Sequence, residues 1–255
     1  MKQAIARWRR GDAPARVEEG AWRGVLSGMA LLQGLSAEEE AELKALVERF
    51  LAEKQFVGAA GLDVLPHMAL WVAAQACLPI LRLGLTAYSG WVSVILYPGE
   101  FAPEREVMDE AGVVHRWREP MVGEAWQRGP LVLSWEDALY TGEEDGVNVV
   151  IHECAHKLDM RNGGEANGFP PLRADMSAAA WSDAFGSAYA HFTRRVARGA
   201  ATVLDPYAAE SPGEFFAVMS EAFFAIPHVL LREYPEVYWQ LRDFYRQHPA
   251  GRLPT

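Results

Sequence analysis

The run "GVNVVIHECAHKLDMRNGG", residues 146–164, limits this chain more than any other stretch. It places two histidines, His152 and His156, four apart, with Glu153 beside the first. The pattern predicts a helix over about 145–162, begun by Asp145 as cap and ended by Asn162-Gly163-Gly164 through a left-handed residue. At 3.6 residues per turn, positions 152 and 156 fall on one face, one turn apart. The strongly apolar "VNVVI" ahead of them makes this a buried helix, so its polar face needs an explanation. Two imidazoles beside a carboxylate are costly in a core unless they are hydrogen-bonded or bind a metal.

Two imidazoles so placed can hold one zinc ion from the same side. Glu153 is turned away from the pair, which frees it to act on water instead of taking a coordination position. This is the H-E-x-x-H arrangement of metallopeptidases. Zinc lowers the pKa of a water towards ~7, and a carboxylate then takes its proton. Cys154, inside the same run, faces away from the metal side and is expected to pack into the core.

A catalytic zinc needs a third protein ligand. A metzincin would carry Gly at position 159 and His at 162; Asp159 and Asn162 stand there, which excludes that class. A glutamate from a later helix is the other common solution. The stretch that can supply it is "DPYAAESPGEFFAVMSEAFF", residues 205–224. Ser211 suits an N-cap and Pro212 the first helical residue, so Glu214 could simply close a capping box. Glu221 lies seven residues on, along the same face, and is equally able to point inward. Spacing leaves the two open. Asp159, three after His156, can accept from an imidazole N–H as an outer partner or sit solvated at the helix end.

The rest of the 255-residue chain frames this site. With 50% hydrophobic and 23% charged residues, it has the make-up of a folded protein with one large core or two modest ones. A net charge of -10 repels nucleic acid and anionic membranes, leaving "RWRR" (Arg7–Arg10) as a solvated arm. Cys77 and Cys154 provide no disulfide framework. No apolar segment approaches the ~20 residues of a membrane span, and the N-terminus lacks the apolar stretch of a signal peptide, so a cytoplasmic location is expected.

"LSAEEEAELKALVERFLAEK" opens with Ser36 and Glu39 as a capping box ahead of a helix, and "PHMALWVAAQACLPIL" predicts a second, ending near Pro79. Short strands follow at "WVSVILYP" (Trp91–Pro98), "VVHRWRE" (Val113–Glu119) and "LVLSW" (Leu131–Trp135). Helices resume at about 145–162, 177–198, 211–226 and 228–247. The order predicts an α+β fold, with a dependent N-terminal helical layer over 1–85 and a catalytic core over 86–255. "LVLSW" is the expected edge strand for aligning an extended peptide by β-addition. His67, His191, His228 and His248 lack partner spacing and read as ordinary.

Four separated motifs, "KQFVGAAGL", "AAQACLPIL", "VIHECAHKLDMRNG" and "SPGEFFAVMSEAFF", in order across nearly the whole chain, resemble the Mlc titration factor A family of bacterial zinc peptidases. The resemblance implies a zincin-like, gluzincin-type core with Glu214 as the later zinc ligand. It implies Tyr207, seven residues earlier, for transition-state stabilisation, as in related toxin-type zinc proteases. It also implies that His115 contacts the metal; as a fourth ligand His115 would close the site and make the enzyme latent. Short, aminopeptidase-type peptide substrates follow from the resemblance. So does a rival activity, non-proteolytic capture of a repressor of sugar transport.

Overall fold

The computed structural model describes residues 16–100, 104–108, 114–118, 123–125 and 129–253, the three short segments between 101 and 128 as backbone strands. The "RWRR" arm lies outside the described residues. Two N-terminal helices, α1 (Glu19–Gly28) and α2 (Ala37–Glu53), precede strand β1 (Gln55–Gly58) and helix α3 (Pro66–Cys77). Five strands follow: β2 (Ser93–Tyr97), β3 (Glu104–Met108), β4 (Val114–Arg118), β5 (Gly123–Ala125) and β6 (Leu131–Ser134). The remainder is helical: α4 (Trp135–Ala138), α5 (Val149–Asp159), α6 (Ala178–Ala197), α7 (Pro212–Ala225), α8 (Pro227–Glu233) and α9 (Pro235–Tyr245).

Local signals explain most of these boundaries. Ser36 Oγ accepts from the Glu39 N–H at 3.2 Å while Glu39 accepts from the Ser36 N–H at 3.0 Å, so α2 begins with the expected capping box. The helix anticipated over 228–247 is instead two. Pro235 has no N–H to continue the ladder and holds Tyr234 at φ -137, ψ 64, outside the helical region. The site helix starts later than the sequence suggests. Asn148, not Asp145, is its N-cap and accepts from the Ile151 N–H at 2.9 Å, while Asp145 turns back to the Val147 N–H. Its end is as expected, with Gly163 left-handed at φ 94.

The larger sheet has the order β1-β2-β6-β5, with β1, β2 and β6 parallel and β5 antiparallel to β6. β3 and β4 form a separate antiparallel pair. Sequence reading missed β1, β3 and β5, and one expectation is overturned. "LVLSW" is no edge: β6 is hydrogen-bonded to β2 on one side and β5 on the other, so among the described residues β1 and β5 are the edges, with β5 the one next to β6. The fold is thus a mixed, largely helical one around a small parallel sheet. β1, drawn from the first 85 residues, is a strand of that sheet, and one apolar cluster extends from Trp22 to Tyr245. α7 fills the middle of this cluster with Phe215, Phe216, Phe223 and Phe224, all buried. No described helix is long and apolar enough to cross a membrane.

Candidate metal centre

The site lies where α5 packs on α7, with β5 and β6 alongside α5. His152 and His156 project from one face of α5, their Nε2 atoms 3.1 Å apart. Glu214, in the first turn of α7, brings Oε2 to 2.9 Å from His152 Nε2 and 3.2 Å from His156 Nε2. Three ligand-type atoms therefore converge, and His152, His156 and Glu214 are the described residues that can hold a metal ion. The donor set fits: two imidazoles and one carboxylate suit a borderline divalent cation.

Glu214 does not close a capping box. Its backbone N–H is taken by Ser211 Oγ at 3.1 Å, as a cap requires, but its carboxylate turns away to the histidines. Burial works against charge on Glu214, yet the hydrogen bonds from His152 and His156 outweigh it and hold the carboxyl at about 2. Glu221, seven residues later, also points inward, as its place on the same face allows. Its Oε1 lies 2.7 Å from His152 Nδ1, on the far side of the ring from Glu214. Two glutamates that spacing could not separate thus take different atoms of one imidazole. Burial disfavours a charge on His152, but Glu221 and Glu214 around it raise its pKa well above the ordinary value.

Glu153 follows His152 on the helix and is 5% exposed. Its Oε2 has no hydrogen-bond partner among the described residues, and burial raises its pKa. A buried carboxylate with an unpartnered oxygen beside a metal-type group is suited to taking a proton. His156 Nδ1 is likewise buried without a partner. The outer acceptor expected there, Asp159, is committed elsewhere. Its oxygens accept from the backbone N–H groups of Asn167, Gly168 and Phe169 at 2.8, 2.6 and 3.1 Å. It is not solvated either, being fully buried. Both expectations for Asp159 are corrected by the same cause: three backbone donors converge on it from the loop beyond α5.

Tyr207 lies in a single 3-10 turn, Pro206–Ala209, ahead of α7. It is 44% exposed, and its ring centroid is 6.1 Å from that of His152. His115 sits in β4, paired with Val107, and its side chain falls outside the described residues. Cys154 is buried in the core as a free thiol, its pKa pushed up to about 12 by burial. Of the four remaining histidines, His228 and His248 hydrogen-bond Leu253 and Tyr238, while His67 and His191 lie against Trp135 and Tyr234.

Sequence reasoning passed over Lys157. This buried lysine donates to the carbonyls of Gly129 and Pro130, at 2.9 and 3.3 Å, and so ties the residue after His156 to the lead-in of β6. Burial lowers its pKa to about 8. Nothing in the pattern "AHKLD" marks that lysine as inward.

Convergent imidazoles and a carboxylate, with a buried acid at their side, make a candidate metal-binding group of the kind that metallopeptidases use. Sequence comparison agrees: the profile of the family described as "Glucose-regulated metallo-peptidase M90" matches residues 5–246, and the chain belongs to that family. It is similar to Mlc titration factor A of Salmonella agona (strain SL483), 39% identical over 240 residues that cover 92% of this chain and 89% of the relative. It is also similar to Mlc titration factor A of Salmonella arizonae, 40% identical over 237 residues covering 91% and 92% respectively. The family resemblance carried by the four motifs is thereby shown.

Proposed function

We propose that this chain is a zinc-dependent peptidase with a zincin-like core, acting on short peptides in the manner of an aminopeptidase. The observation that carries the reading is the convergence of His152, His156 and Glu214, with the buried Glu153 beside them and its Oε2 without a partner among the described residues. In this reading His152, His156 and Glu214 hold the ion. A zinc ion at such a position supplies Lewis acidity that polarises a carbonyl and acidifies water.

The chain's own residues do the rest. Glu153 takes the proton from the attacking water and returns it to the departing amine, a cycle favoured by a raised carboxyl pKa. Tyr207, half exposed beside His152, is positioned by Asp205, whose Oδ1 accepts the Tyr207 N–H at 2.9 Å. From there its hydroxyl can donate to the developing oxyanion. β5, the antiparallel edge beside α5, replaces β6 as the strand along which an extended peptide can add.

A second reading joins the relatives' printed name, Mlc titration factor A, to what the family resemblance implies: capture of a repressor protein without proteolysis. One experiment separates the two. Hydrolysis of chromogenic amino-acid amides is measured with the zinc-loaded protein, after chelation, and after zinc is restored. The peptidase reading predicts turnover that the chelator abolishes and zinc restores. Zinc-loaded protein that turns over no amide but binds a repressor of that kind in calorimetry supports capture alone.

A further inference from the structure

His152 is held by a chain of buried side chains that reaches well beyond the metal-type atoms. Glu221 Oε1 meets His152 Nδ1 at 2.7 Å, and its other oxygen accepts the backbone N–H of Asn148. Asn148 caps α5 through Oδ1 and donates from Nδ2 to Gln75 Oε1 at 2.8 Å. Gln75, on α3, donates in turn to the carbonyl of Ala138 at 2.9 Å, which also accepts from Trp71 Nε1 at 3.0 Å. Glu221, Asn148 and Gln75 are 4%, 1% and 0% exposed. Helices α3, α5 and α7 and the end of α4 are thus joined through one satisfied polar network inside an apolar core.

Such networks are costly when incomplete and rigid when complete. This one has a specific geometric effect. An acceptor at Nδ1 keeps the proton on that nitrogen and leaves Nε2, the atom facing Glu214 and His156, free as a ligand. The carboxylate that does this also accepts the backbone N–H of Asn148, the cap of the site helix, so the ring and the start of its helix are fixed by one group. Gln75 in turn fixes Asn148, and its spare contact to Ala138 anchors the network to the turn after β6.

We infer that Glu221, Asn148 and Gln75 are positioning residues that present His152 to the metal, with Gln75 bringing the N-terminal helices into the site's function. The inference rests on the metal-site reading above, and its test separates the two. Zinc dissociation constants are measured by chelator competition, together with the visible spectrum of the cobalt-substituted protein and thermal stability. Glu221→Ala is expected to weaken zinc about 10- to 100-fold. Glu221→Gln, which keeps an acceptor for Nδ1 but sets an NH₂ against the Asn148 N–H, falls between it and the wild type. Gln75→Leu, of similar volume, weakens zinc and shifts the cobalt spectrum, and combined with Glu221→Gln it gives less than the product of the single effects.

Ser220→Ala is the structural control. Among the described residues Ser220 bonds Phe216 and Tyr245 and no member of this network, so its loss lowers the melting temperature without changing zinc affinity. Should Glu221→Ala fail to fold, Glu221→Gln and Gln75→Leu carry the test. If His152→Ala and Glu214→Ala abolish zinc binding while folded Glu221 and Gln75 variants bind like the wild type, the positioning inference is overturned and the metal site stands. If His152→Ala and Glu214→Ala leave zinc binding unchanged, the metal-site reading itself fails.

Discussion

His152 sits between two carboxylates, and that has a consequence for pH. In the metal-free protein Glu214, held at about 2, contributes stability that is complete above the unfolded carboxyl value of 4.5 and is lost as pH falls towards 2. The raised pKa of His152 acts in the other sense: its contribution is complete below the unfolded value of 6.5 and fades as pH rises through the folded one. The group therefore supports the metal-free fold most between 4.5 and 6.5. Zinc needs a neutral imidazole, so metal uptake must release the proton that His152 retains. Zinc affinity is predicted to weaken as pH is lowered from about 8 to about 6, with proton release visible in calorimetry in buffers of different ionisation enthalpy. A zinc dissociation constant that does not change across that range would contradict this. The histidine pair and Glu153 were legible in the sequence because helical spacing alone brings them together. Glu221 was half legible: its face was evident, but which imidazole nitrogen it meets depends on how α7 crosses α5.

The relation of α5 to α7 is set by elements outside the site. Asp159, at the end of α5, gathers the 167–169 loop. That loop lies against the start of α7. Gly168 is left-handed at φ +77, and a Cβ there would come within 2.5 Å of the Pro212 carbonyl oxygen. A Cβ on Gly213 would meet the Ala166 carbonyl oxygen at 2.7 Å. Glu214 follows directly, so the loop sets its height over the histidines. Gly168→Ala is predicted to destabilise the fold by about 1–3 kcal/mol. Urea unfolding measures it, and a neutral variant would mean that the loop yields without strain. None of this was legible. A glycine in "NGF" signals a turn, but not the carbonyl it must clear. The break at Pro235 was open to reading, since proline is a local signal with a local effect. Strand order was not: β5 is three residues long, and it displaced "LVLSW" from the edge through a pairing no local pattern records.

At the scale of the molecule, the sheet draws β1 from the N-terminal part, and Gln75 of α3 reaches the network behind His152. The capping box at Ser36, the apolar α3 and the phenylalanine-rich α7 follow from sequence patterns. How α7 comes to lie against the site helix was legible only through the family resemblance. In the proposed function His152, His156 and Glu214 hold a zinc ion while Glu153 serves as base without holding it. The most direct test is Glu153→Gln, assayed together for bound zinc and for amide turnover. The predicted result is one zinc per chain, as in the wild type, with turnover reduced by about 10²–10⁴. A folded variant with wild-type turnover, or one that has lost its zinc, would contradict these roles.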